Sequence, residues 1–121
     1  MLWYMVIQFP DLQSQYFEPK DSIAMDINIA EIFFETGEIK YRYFRVLADD
    51  GTKWIRHGQF TAFHVNGQIA SEGQYIRGLE QGLWRDFHEN GQVAAEGMYD
   101  GGKEVGEWRF WDATGTPELD R

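Results

Sequence analysis

Three histidines and a set of recurring carboxylates are the residues of this sequence whose types and spacing could do chemistry. His64 and His88, 24 residues apart, are the histidines that repeat, and imidazoles are the side chains that serve a metal or acid–base work. On neighbouring β-hairpins, however, they lie two strands apart, ~9–10 Å. That is too far for two nitrogens to share an ion at ~2 Å each. Polar residues near hairpin tips are the simpler reading. His57 lies just ahead of the repeating segment and has no counterpart. Asp86 is close enough to His88 along one strand face to pair with it, but no serine or threonine completes a nucleophilic set. Glu72, Glu96 and Asp120 also recur. Paired carboxylates hydrolyse glycosides, yet each of these faces an arginine or threonine across its hairpin, so sheet-surface pairs are expected. Gly101-Gly102-Lys103 is too short for a phosphate loop, and Gly-x-Gly-x-x-Gly does not occur. With no cysteine, thiolate metal sites, disulfides and a cysteine nucleophile are excluded. The expectation is a protein that is not an enzyme and holds neither metal nor cofactor.

The element that carries these residues is a repeat. Gly58, Gly82 and Gly106 are 24 apart, and so are Gly67, Gly91 and Gly115. Phe60, Trp84 and Trp108 share a phase, as do Phe63, Phe87 and Trp111, and Tyr75 with Tyr99. Each copy reads as a β-hairpin. Asn66-Gly67 and Asn90-Gly91 predict type I′ turns, and a second glycine-rich bend follows at Gly78 and at Gly101-Gly102. The fold expected is all-β, a single antiparallel meandering sheet that gains two strands per repeat. Residues 1–57 read as a degenerate first copy. Ile23 to Ile29 alternates, Phe33–Gly37 matches Phe63–Gly67, Tyr41 and Tyr43 continue the alternation, and Asp49-Asp50-Gly51 is a turn before a strand at Thr52–Arg56. Met1–Phe9 is an edge strand or cap, and Asp11–Lys20 is irregular.

A tight turn at Asn90-Gly91 sets Glu89 opposite Gln92, His88 opposite Val93, Phe87 opposite Ala94, Asp86 opposite Ala95, Arg85 opposite Glu96 and Trp84 opposite Gly97. Likewise Phe60 opposes Gly73, Thr61 opposes Glu72, Phe63 opposes Ala70 and His64 opposes Ile69; Arg109 would meet Asp120. A ring over a strand glycine covers bare backbone, so these pairs support the register. A three-residue turn would swap the faces. The expected core face holds Phe60, Ile69, Tyr75, Trp84, Val93, Tyr99 and Trp108. The other face carries the column Phe63, Phe87, Trp111 among Glu72, Arg85, Glu96 and Arg109. That column either packs on itself or an N-terminal segment, or forms a strip of aromatic anchors rimmed by charge for a partner.

The 121 residues suit one domain, and 43% apolar with 17% aromatic residues argues against disorder. Net charge −9 repels nucleic acid and anionic membranes and favours a protein partner with a basic surface. Leu2–Phe9 is too short to span a bilayer, and no signal peptide is expected, so the location expected is the cytoplasm. The last strand leaves a homodimer open, although Pro117 discourages pairing on one side.

The phase G-x-W-x-x-F-x-x-N-G-x-x-x-x-E-G-x-Y, whole at Gly82–Tyr99, resembles the MORN-repeat variant family of bacteria. Phe60 replaces the tryptophan in the copy at Gly58, and the copy at Gly106 matches as far as Gly115. The resemblance implies one domain over 1–121, with a degenerate repeat and cap at 1–57 and MORN-like repeats over 58–121. Family members are often labelled antitoxins or immunity-like proteins, which implies neutralising a partner protein by occlusion. The partner-binding residues expected are Phe63, Phe87, Trp111, Arg85, Glu96, Glu72 and Arg109. The alternative is a membrane-peripheral or scaffold protein, for which the block Lys40, Arg42, Arg45, Lys53 and Arg56 is the basic strip available.

Overall fold

Alternating side chains between glycine-marked turns produce strands throughout the described part of the chain. The computed structural model describes residues 4–8 and 27–119. Among them, nine strands form one antiparallel sheet in strict sequence order. They are β1 (Tyr4–Gln8), β2 (Asn28–Phe33), β3 (Ile39–Leu47), β4 (Trp54–Phe63), β5 (Ile69–Ile76), β6 (Leu79–Phe87), β7 (Val93–Asp100), β8 (Lys103–Trp111) and β9 (Pro117–Glu118). The all-β meander is therefore the observed fold. β1 pairs with β2 as an edge strand, and of the strand expected at Thr52–Arg56 the part from Trp54 is observed, as the start of β4, which continues to Phe63. The irregular segment expected at Asp11–Lys20, residues Ile23 and Met25, and the Arg109–Asp120 pair lie outside the described residues.

The turns divide differently from expectation. At the Asn-Gly tips only Gly67 and Gly91 have positive φ; Asn66 and Asn90 do not. Each tip is a turn closed by Gly91 N–H to His88 O (2.9 Å), or Gly67 N–H to His64 O (2.9 Å), with the glycine left-handed after it. The two-residue type I′ geometry, with both central φ positive, sits instead at Arg77-Gly78 and Gly101-Gly102. The longer tip is absorbed by a bulge. Phe87 pairs with Val93 rather than Ala94, and Phe63 with Ile69 rather than Ala70. His88 and His64 therefore lie in the turns, outside the ladder. The rest of the expected register holds, including Trp84–Gly97, Arg85–Glu96, Phe60–Gly73 and Thr61–Glu72. One residue of slip carries Ile69 and Val93 off the expected core face, to the side of Phe63 and Phe87, and Ile69 is 37% exposed.

A second irregularity explains the glycines at the repeat starts. Between Glu72–Arg85 and Gln74–Gln81 the chain takes two steps along β5 and four along β6. The same happens between Glu96–Arg109 and Met98–Val105 on β8, and between Tyr43–Phe60 and Arg45–Arg56 on β4. Gly58, Gly82 and Gly106 sit in these bulges with φ of 111°, 79° and 69°, a region that disfavours any side chain.

Packing concentrates in an aromatic ladder on one face. Ring centroids run Phe60–Tyr75 5.5 Å, Tyr75–Trp84 5.3 Å, Trp84–Tyr99 5.9 Å and Tyr99–Trp108 5.2 Å, every contact edge-on. Such pairs contribute roughly 0.5–1.5 kcal/mol each beyond their buried area. Tyr41 and Tyr43 extend the ladder from Phe60 onto β3. Phe60 and Trp84 are buried, while Tyr75, Tyr99 and Trp108 are half-buried. The rings do lie over glycines, but on the opposite neighbouring strand from the expected one. Trp84, although paired with Gly97, spreads over Gly73 of the preceding repeat, and Trp108 spreads over Gly97. A Cβ on Gly73 would stand 2.2 Å from the Trp84 ring. Gly73→Ala should therefore lower stability by ~1–3 kcal/mol, read as a drop in urea midpoint at unchanged m-value.

Candidate docking face

The face opposite the ladder is built by the same register. Reading directly opposed residues across the sheet gives one row: Glu31 (β2), Arg42 (β3), Thr61 (β4), Glu72 (β5), Arg85 (β6), Glu96 (β7) and Arg109 (β8). Opposite charges dominate adjacent places, the favourable arrangement for cross-strand neighbours. Arg42 Nε donates to Glu31 at 2.8 Å, and Arg85 Nε to Glu96 at 2.7 Å. The Glu96 carboxylate, by its hydrogen bond first and its charge second, holds Arg85 above the ordinary arginine range. Glu72 lies between Thr61 and Arg85, and Arg109 stands exposed beside Glu96.

Phe63, Phe87 and Trp111 close this face at the ends of β4, β6 and β8, each half-buried. The Arg42 guanidinium lies 5.7 Å from the Phe63 ring centroid, which ties the aromatic column to the charged row. Leu83 and Met98, directly opposed, add an apolar step at 44% and 47% exposure. Beside them, Gln59, Glu72, Gln74, Leu83 and Arg85 line a shallow recess of about 210 Å³. The seven expected residues thus share one sheet face as a continuous strip, not a converging pocket.

The histidines have other work. His64 Nε2 donates to the Phe87 carbonyl and His88 Nε2 to the Trp111 carbonyl, both at 2.8 Å. Asn66 Nδ2 donates to the Glu89 carbonyl at 2.9 Å and Asn90 Nδ2 to the Ala113 carbonyl at 2.7 Å. Each tip is therefore fastened to the backbone of the next tip, satisfying groups a turn would otherwise leave open. Asp86 accepts from Ser71 Oγ at 2.6 Å and does not pair with His88. His57 does have a counterpart, Gln81. His57 Nδ1 accepts from Arg77 N–H at 2.9 Å, and Gln81 Oε1 accepts from Gly101 N–H at 2.8 Å. The two residues share a place and a job but not a residue type, so matching identities could not find them.

With a 24-residue unit, its bulge glycine and its tip-to-tip fastening established, the repeat can be compared with known families. Residues 56–77 and 80–100 match the MORN repeat variant family. This central stretch is similar to MORN-variant repeats. Comparison with curated proteins and with solved structures gave no match. MORN repeats are in general protein- or membrane-binding. The matched MORN-variant segments hold Gly58, Gly82, Gly73 and Gly97, the glycines on which the bulges and the ring stacking depend.

After the second MORN-variant copy the fastening changes character. Asp112, in the phase of His88, turns back on its own loop and accepts from Thr114 Oγ1 (2.6 Å), Thr114 N–H and Thr116 N–H (both 3.0 Å). The Thr114 hydroxyl, then the Thr116 amide, hold its carboxyl below the ordinary aspartate range. The folded value is depressed, so this support is complete above the ordinary aspartate range and is lost as pH falls through the folded value. The amide resonances of Thr114 and Thr116 should shift together in that acid window, and Asp112→Asn should abolish the transition.

Proposed function

We propose that this chain is a non-catalytic, protein-binding module that neutralises a partner, an effector or toxin, by covering its working surface. The observation that carries this reading is the shared strip itself. Phe63, Phe87 and Trp111 offer aromatic anchors along one edge, and a row of fixed, alternating charges runs beside them. Anchors surrounded by a polar rim are the usual distribution of binding energy in protein interfaces. Net charge −9 speeds encounter with a basic surface, such as the cleft of an enzyme acting on an anionic polymer. The basic block Lys40, Arg42, Arg45, Lys53 and Arg56 motivates a second reading, peripheral membrane binding, which co-flotation with anionic vesicles at physiological salt would favour.

The test uses the full chain as bait in an extract of its native host, beside a variant with Phe63→Ala, Phe87→Ala and Trp111→Ala. The reading expects one stoichiometric protein partner that the variant loses, and whose growth inhibition is relieved by co-expression of the wild type. Equal recovery by both baits, or no stoichiometric partner, contradicts it.

A further inference from the structure

The period gives each position of the first repeat an internal control in the second. Residues that build the fold recur: Gly58 with Gly82, Tyr75 with Tyr99, Gly78 with Gly102. Around one recess the residues depart from the period. An open recess of about 330 Å³ is walled by Trp54 and Tyr75 and lined by Lys53, Arg56 and Arg77. At the positions 24 residues on, Arg56 is answered by Glu80 and Arg77 by Gly101. The architecture therefore asks for neither arginine. Arg77 is the one described non-glycine residue with positive φ, at 49°, where an L side chain is strained, and the His57 hydrogen bond to its N–H holds it there.

The Arg56 guanidinium is set in advance. It lies 4.8, 5.2 and 5.4 Å from the ring centroids of Tyr43, Phe60 and Tyr75, and it donates to the Tyr75 hydroxyl at 3.3 Å. These contacts fix the group while leaving its charge uncompensated. Among the described residues no carboxylate forms an ion pair with Arg56 or Arg77, and Lys53 only feels the charge of nearby Asp50 without a contact ion pair; the pairs described involve Arg42 and Arg85. That is unexpected in a chain with 20 acidic and 11 basic residues. Three cations around one opening match a group of charge near −2 better than a single carboxylate, and guanidinium forks fit phosphoryl oxygens. The volume is at the small end of sites for low-molecular-weight ligands.

We propose that this recess binds a phosphate monoester, its phosphoryl group among Lys53, Arg56 and Arg77 and its organic part against Trp54 and Tyr75. The site uses the ladder face and is independent of the docking strip. The probe is phenyl phosphate titrated into the full chain by amide NMR, with benzoate alongside, and vesicles with and without phosphatidic acid as a separate arm. Arg77→Gly is the informative variant, because glycine suits that backbone and Gly101 already stands at the equivalent turn. Saturable shifts at residues 53–56 and 77–78 are expected, stronger for phenyl phosphate than for benzoate. Arg77→Gly and Lys53→Gln should each weaken binding at least about five-fold, with the Arg77→Gly urea midpoint unchanged or raised. Vesicle binding with the same sensitivity would identify a lipid phosphate as the source. No saturable binding to phenyl phosphate or to phosphatidic acid vesicles, or binding indifferent to both substitutions, would overturn the proposal.

Discussion

An indole can lie flat on a β-sheet only where the strand beneath it has no side chain. Trp84 over Gly73 and Trp108 over Gly97 obey this constraint, and the rest of the structure follows from it. With each ring seated on the previous repeat, tyrosines from the intervening strands meet the indoles edge-on. The Trp84 Nε1–H then reaches the Gln74 carbonyl at 3.2 Å, adding a directional contact across the bulge. The bulges at Gly58, Gly82 and Gly106 supply the extra backbone that lets each ring reach back. Between repeats, the histidine and asparagine at each tip repeat the same logic in hydrogen bonds, so successive hairpins are fixed at two levels.

Once one face is committed to rings, period-2 alternation sends Glu31, Arg42, Glu72, Arg85, Glu96 and Arg109 to the other. A sheet that satisfies this face with cross-strand charges stays solvated there. Such a surface suits recognition over an area. The recess at Lys53, Arg56 and Arg77 is different in kind, since it concentrates one sign of charge against aromatic walls. The two proposed recognition surfaces thus lie on opposite faces of the sheet.

Much of this was legible before any coordinates. The tight turn read at Asn90-Gly91 paired Trp84 with Gly97 and Arg85 with Glu96; the tip is longer than that, but the bulge between Asp86 and Phe87 absorbs the extra residue and leaves this register intact. The features that escaped are those set between repeats. Asn66 and Asn90 look like type I′ residues in a local reading, but their side chains serve the next tip, and the longer turn with its bulge follows. That bulge moved Ile69 and Val93 across the sheet. The seating of each ring on the neighbouring repeat depends on backbone steps within the bulges, which residue spacing alone does not reveal. His57 and Gln81 share a role through geometry, not identity.

A double-mutant cycle on Gly97 and Trp108 tests the central constraint most directly. Urea unfolding would be measured for the wild type, Gly97→Ala, Trp108→Leu and the double variant. If the indole needs bare backbone beneath it, the alanine should be costly under tryptophan and nearly neutral under leucine, a coupling of at least ~1 kcal/mol. Additivity within ~0.3–0.5 kcal/mol would show that ring and glycine act independently, and would contradict the account.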